Sequence, residues 1–231
     1  MHSYAIVNAE IDLTLPEGTL ETLQLIGNGA LSIVVEPNLK LEVLQQDDTL
    51  LLQAILAHDR IIRALFLQTT VLPLRFSAFL PEKELIADLN TNQSRYLAYL
   101  KYFNGKAEYR LKLVPLEILD TPISPSLKGK NYFLARKQQI QTQQDQHQLQ
   151  LTQFEQLLEI INQFWPAILS TETATTEKIL FLLAKQTEEE VIQNMIKIWQ
   201  EHYTLYQFSV ETALPPYHFI ESFISTKKVD S

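Results

Sequence analysis

There is no cysteine anywhere in the chain. Disulfide staples, thiolate nucleophiles and cysteine-ligated metals are therefore excluded, a composition that fits a reducing cytoplasm. Glycine is almost as scarce, with only Gly18, Gly27, Gly29, Gly105 and Gly129. These five form neither G-x-G-x-x-G nor G-x-x-x-x-G-K-[ST], so a nucleotide cradle of backbone amides is not supported. No window approaches the roughly eighteen uncharged apolar residues that read as a membrane-spanning helix. The opening Met1-His2-Ser3-Tyr4-Ala5-Ile6-Val7 lacks the basic flank and apolar core of a secretion signal. Excess positive charge is missing too, since 19 Lys and Arg stand against 27 Asp and Glu, a net −8. That balance opposes binding to phosphate backbones and to anionic membrane surfaces. The densest basic group, Lys128, Lys130, Arg136 and Lys137, is spread along the start of a helical pattern. The expectation is a soluble, cytoplasmic protein with neither nucleic acid nor lipid as partner.

What is present suffices for one large core or two modest ones, with 46% of 231 residues hydrophobic. Val71 to Leu80, V-L-P-L-R-F-S-A-F-L, is apolar except for Arg75 and two small residues. It reads as a short, largely buried strand or a packed turn. Pro73 cannot donate a ladder hydrogen bond, which places that strand on an edge or at a bulge. Arg75 in such a setting needs carboxylate or carbonyl partners, and the pattern suggests that it ties two halves together through buried charge-assisted bonds.

Around this stretch the patterns alternate. Tyr4 to Val7 reads as a strand, and Leu23 to Val35 as a hairpin turning at Gly27-Asn28-Gly29. Asp47 and Asp48 suit the cap of a helix to about Gln68, with Leu51, Ile55, Ile62, Leu65 and Phe66 as its apolar stripe. A second helix opens at Pro81 and Glu82 and closes at Asn104-Gly105. Tyr109 to Leu113 alternates as a strand, and 120–126 reads as a Pro-rich loop. A helix from about Lys130 to Trp165 follows, its first half crowded with Gln, its second carrying Phe154, Leu157, Leu158, Ile161, Phe164 and Trp165. Ile179 to Ala184 reads as a central strand, after a loop with room for a short extra strand. Thr187 and Glu190 form a capping box for a helix bearing Val191, Ile192, Met195, Ile198 and Trp199. Tyr206 to Val210 is the last strand, and the chain after about residue 224 reads as a polar, flexible tail. The fold class is α+β in two domains: 1–104, mixed α/β, and 105–231, a modified ferredoxin-like domain with a long helix.

No catalytic constellation emerges from spacing. His2, His58, His147, His202 and His218 show no metal-ligand pattern, and Glu188 to Glu190 are accounted for by the capping box. The expectation is no enzyme activity, no cofactor and no metal. His58 beside Asp59 and His218 on a Pro-Pro turn are the two histidines with any catalytic appeal; packing is the simpler role for each.

His58-Asp59-Arg60 on a helix, followed by Thr70-Val71-Leu72-Pro73-Leu74-Arg75-Phe76, resembles the signature of the gas vesicle protein F/L family. Gly29-Ala30-Leu31-Ser32, Gly129-Lys130-Asn131-Tyr132-Phe133-Leu134-Ala135-Arg136-Lys137 and Pro215-Pro216-Tyr217-His218-Phe219 extend the likeness over nearly the whole chain. Ser77 stands where the family usually has Gly, and Leu214 where many members have Trp. The resemblance implies His58, Leu72, Pro73, Arg75 and Phe76 as structural motif residues. It implies a non-enzymatic accessory or minor structural protein of gas vesicle formation, in the cytoplasm and at the gas vesicle. Its partners would be the hydrophobic major shell protein and other accessory proteins, with no small-molecule substrate, and it would assist nucleation or assembly. Contact is expected at Tyr217, His218 and Phe219 and along the solvated face of the long helix. The alternative is a ligand-binding regulatory module on a ferredoxin-like sheet.

Overall fold

The computed structural model describes residues 1–117, 123–124, 126–171 and 176–220. They fall into two compact units.

The first unit is built on a four-stranded sheet. Its strands are β1 (His2–Asn8), β2 (Gln24–Gly27), β3 (Leu31–Glu36) and β4 (Leu72–Pro73), in the order β2-β3-β1-β4. Every neighbouring pair is antiparallel. Apart from half-buried Asn8, every residue of β1 and β3 is buried, so both faces at the sheet centre are covered. The β2–β3 turn follows from local chemistry: Asn28 Oδ1 accepts from the backbone N–H of Ala30 and Leu31, and Gly29 takes a φ of 94°. The unit also holds α1 (Leu41–Leu44), α2 (Asp48–Phe66) and α3 (Glu82–Phe103). Asp47 caps α2, its carboxylate accepting from the backbone N–H of Thr49 and Leu50.

The Val71–Leu80 stretch contributes only two residues to the sheet, Leu72 opposite Ile6 and Pro73 opposite Ala5. They form an edge strand, where proline's missing donor faces no partner. The chain then turns back, Ala78 N–H donating to Arg75 O at 2.9 Å. That turn overturns the expected burial of Arg75, which is exposed. Phe76 and Phe79, on either side of the turn, pack against the core residues Leu39, Leu44 and Ala54.

The second unit contains most of β5 (Lys106–Pro115), then α4 (Lys130–Phe164), β6 (Ala167–Leu169), β7 (Lys178–Lys185), α5 (Glu189–His202) and β8 (Tyr206–Val210). The sheet order β6-β7-β5-β8 and the sequence βαββαβ are those of a ferredoxin-like unit. β5 pairs antiparallel with β8 and β6 with β7. β7 has five consecutive buried residues, as an interior strand should. The short β6 occupies the loop before it. The long helix is continuous over 35 residues, about 52 Å at the standard rise. Its Gln-rich half is mostly exposed, yet Gln150 is buried and donates to Leu116 O.

The chain leaves the first unit after Glu108, touches it again at Lys185–Thr187, and rejoins it from Ala213 onward. The described residues 213–220 thus pack with the first unit, where a single cut at residue 105 would assign them to the second. The flexible tail expected after residue 224, and most of the loop expected at 120–126, lie outside the described residues.

Several local expectations change. The capping box at Thr187 does not form: Gln186–Glu188 is a 3-10 turn, and α5 begins at Glu189 without a side-chain cap. Glu188 instead accepts from the indole N–H of Trp165 at 3.3 Å. On α5 the buried row is Ile192, Ile196 and Trp199, leaving Val191 and Ile198 exposed. On α2 the buried row centres on Ala54, His58, Ile61 and Leu65, and on α4 Phe164 points outward, so Ile55 and Phe164 leave the core. In each case the helical stripe is narrower than the run of apolar residues, and only side chains near its middle reach the sheet.

Candidate functional site

His58 sits in the middle of α2's buried row, where an apolar residue would ordinarily be. Its Nε2 lies 3.0 Å from Leu74 O, which can only accept, so Nε2 carries the proton. Its Nδ1 is then an acceptor and takes the N–H of His2 Nε2 at 2.9 Å. This chain of bonds sets both tautomers with both rings neutral. His2 is fully buried and its Nδ1 has no hydrogen-bond partner. Burial, then the neighbouring His58, pushes the His2 pKa down from 6.5 to about 3. Burial lowers that of His58 as well. Tyr4, Phe76 and Phe79 close around His2, with ring centroids 4.6, 5.1 and 4.6 Å away. Of the motif residues, His58 and Phe76 meet beside His2, and the bond from His58 to Leu74 O ties the helix to the residue that follows the edge strand of Leu72 and Pro73. Arg75 is exposed.

A buried carboxylate extends the cluster. Tyr4 OH donates to Glu36 Oε2, and the backbone N–H groups of Thr19, Leu20 and Glu21 donate to the same carboxylate. Burial alone would raise the pKa of Glu36. The bonds from Thr19, Tyr4, Leu20 and Glu21 outweigh it and hold the carboxyl below its ordinary range. Burial and the bond to Glu36 raise the Tyr4 phenol. The 17–22 loop is thus folded around one anion, and Arg60 fastens its start by donating to Glu17 O at 2.8 Å.

The closing segment 213–220 is held just as specifically. Leu214 and Glu108 exchange two backbone hydrogen bonds of 2.9 Å each. The fully buried Glu108 carboxylate accepts from the His218 backbone N–H at 2.9 Å and from His218 Nδ1 at 2.7 Å. Tyr217 OH donates to Asp59 on α2 at 2.8 Å, and burial followed by that carboxylate raises its pKa. Phe219 and Ile220 are buried. Of the three residues expected to meet a partner, Tyr217 and Phe219 are engaged within the first unit, and His218 alone is exposed.

Chemically, these groups hold structure together. The histidine pair is sealed among aromatic rings with its protons committed, and His218 has its Nδ1 committed to a buried carboxylate. No group of three or more His, Asp or Glu among the described residues has the geometry to hold a metal ion. A pocket of 540 Å³ lies in the 15–23 loop, where Glu17 and Glu21 are the ionisable residues. No described helix is long and apolar enough to cross a membrane. His2, Glu36 and Glu108 were not legible as members of these clusters. The one local hint was an acidic residue closing the apolar strand before Pro37; the pairing itself spans 56 residues for His2–His58 and 110 for Glu108–His218.

Two α+β units, one of them ferredoxin-like, with buried polar clusters that hold helix, strand and turn together, define the class of fold. The model of the family described as "Gas vesicle synthesis protein GvpL/GvpF" matches residues 1–221, and the chain belongs to that family. The fold is similar to the crystal structure of the gas vesicle protein GvpF from Anabaena sp. PCC7120. The TM-score is 0.67 at 13% identity, over 95% of this chain and 94% of that one. GvpF from Microcystis aeruginosa is similar as well, with a TM-score of 0.66 at 12% identity, over 95% and 98% of the two chains. No curated protein matches the sequence.

Proposed function

We propose that this protein acts in gas vesicle formation by binding the hydrophobic shell protein and assisting its nucleation or assembly, as a non-enzymatic component in the cytoplasm and at the vesicle. The observation that carries this reading is the family match across residues 1–221. A strongly apolar shell subunit needs a partner that shields it before assembly. The long solvated side of α4, with exposed Leu149 and Phe164, is a surface suited to that task. In the closing segment, Tyr217 and Phe219 are the fasteners, so the exposed edge of His218 is what that segment offers a partner.

The test is affinity purification of the tagged protein from cells producing the shell subunit, paired with deletion of its gene. Co-purification of the shell subunit and loss or malformation of vesicles are expected. No association, together with normal vesicles in the deletion strain, overturns the proposal.

A further inference from the structure

Two exposed helix faces remain without a role, and their chemistries are opposite. At the start of α4, Phe133, Arg136, Lys137 and Ile140 fall at i, i+3, i+4 and i+7, one side of the helix. All four are exposed, Phe133 at 72%. The pocket formed with Ile123, Ser124 and Leu127 is lined on α4 by Ala135, Gln138, Gln139 and Thr142, which lie on other sides of the helix. Between Asp120 and Asp145 the sequence has four basic residues and no acidic one, so the most basic stretch of this acidic chain coincides with exposed aromatic surface.

On α2 the corresponding side carries Asp48, Leu52, Ile55 and Leu56, with Leu52 and Leu56 exposed at 58% and 64%. α1 packs against α2 and adds exposed Leu41, Glu42 and Val43. From Leu41 to Leu56 the charged residues are Glu42, Asp47 and Asp48, all exposed and all acidic.

The spacings are complementary as well as the charges. Lys137 follows Phe133 by four residues, and Asp48 precedes Leu52 by four, each displacement being about 6 Å along its helix. With the two helices antiparallel, Phe133 over Leu52 and Leu56 brings Arg136 and Lys137 to Asp47 and Asp48. Ile140, one turn further, then reaches the end of α2 where α1 presents Leu41 and Val43. We propose that the protein self-associates head to tail, the Phe133–Ile140 face of α4 in one copy docking on the acidic apolar α1–α2 face of another. The occupant of each face is thus a second copy of this chain. The pair keeps one unused face of each kind, so the contact is heterologous and further copies can add, in a closed ring or an open filament. It does not depend on the shell protein, and it stands or falls separately from the proposed function.

Sedimentation velocity of the purified full chain tests it. The weight-average sedimentation coefficient should rise with concentration at low salt and rise less at high salt, where surface charges are screened. Phe133→Glu and Leu52→Glu change exposed residues, and folding of each is checked by circular dichroism. Each should raise the self-association Kd at least about tenfold. An equimolar mixture of the two variants should form dimers and nothing larger, because each retains the face that the other has lost. The reversals Lys137→Glu and Asp48→Lys should each weaken association, and their mixture should restore it beyond the dimer, because both faces are then complementary between unlike copies. A monomeric wild type at every concentration overturns the proposal. So does a mixture that stays monomeric, or variants that associate as the wild type does.

Discussion

Replacing His2 by Phe should make the protein less stable at neutral pH and less sensitive to acid. In the native chain His2 is fully buried and donates to His58 Nδ1, with its pKa held at about 3 against 6.5 for the free side chain. For a histidine depressed in this way, the unfolded chain takes up the proton first. The stability involved is whole above pH 6.5 and drains away as pH falls toward 3, reaching about 5 kcal/mol in total. By pH 4.5 about 2–3 kcal/mol of it is gone. His2→Phe removes that titration and keeps the ring packing against Tyr4, Phe76 and Phe79. It also leaves His58 Nδ1 without its donor, at a cost of about 1–3 kcal/mol at any pH. Urea denaturation at intervals from pH 7.5 to 4.5 should therefore show the variant weaker at neutral pH, with the gap closing or reversing at the acid end. The lowered His58 adds the same direction of slope to both proteins, so the difference between them reports on His2. Parallel curves separated by a constant offset would refute the reading.

Glu36→Gln keeps the size of the side chain but removes the charge that three backbone N–H groups and Tyr4 address, so we expect a loss of about 3–5 kcal/mol in urea denaturation at pH 7. Because the Glu36 carboxyl is depressed, its contribution is whole above about pH 4.5 and fades as pH falls through its folded value, so the wild-type and variant curves should converge in acid. Gly18→Ala would drive a Cβ into Glu21 O and place it 3.0 Å from the Glu36 carboxylate carbon, forcing the loop open. A loss of about 1–3 kcal/mol in urea denaturation and faster proteolytic cutting within 15–23 are expected, and wild-type stability and resistance would refute this packing of the loop. Arg75→Met should change stability by no more than about 1 kcal/mol, because the residue is exposed and an exposed ion pair contributes little. A loss several times larger in the same denaturation assay would restore a buried role for Arg75.

What could be read from the sequence was what is decided within a turn or a strand. Asp47 caps α2, Asn28 and Gly29 turn the hairpin, Pro73 marks an edge, and the β–α alternation of the second half yields a ferredoxin-like sheet. The Gln-rich stretch was readable as helix because nothing in it breaks one, and i, i+4 bonds such as Gln141 to Asp145 support it. The misreadings have a common origin in tertiary context. Thr187 and Glu190 satisfy a local capping pattern, but β7 runs straight into a 3-10 turn, and Trp165 engages Glu188 from 23 residues away. The neighbours of Arg75 in sequence are apolar and suggest burial, whereas the turn that exposes it depends on Phe76 and Phe79 finding partners elsewhere. His2 and Glu108 carry no local mark at all, because their partners arrive through the fold.

The first unit draws on residues from both ends of the described chain, with the ferredoxin-like unit set between them as an insertion. During synthesis, then, the earlier-made portion must wait: Glu108 has no imidazole, and Asp59 no phenol, until His218 and Tyr217 have emerged. The later-made portion is nearly contiguous and closes its own sheet through shorter loops, which favours its formation ahead of the segment that completes its predecessor. A nascent chain that has emerged from the ribosome only as far as residue 212 would carry a finished second unit and a first one still open at the seam.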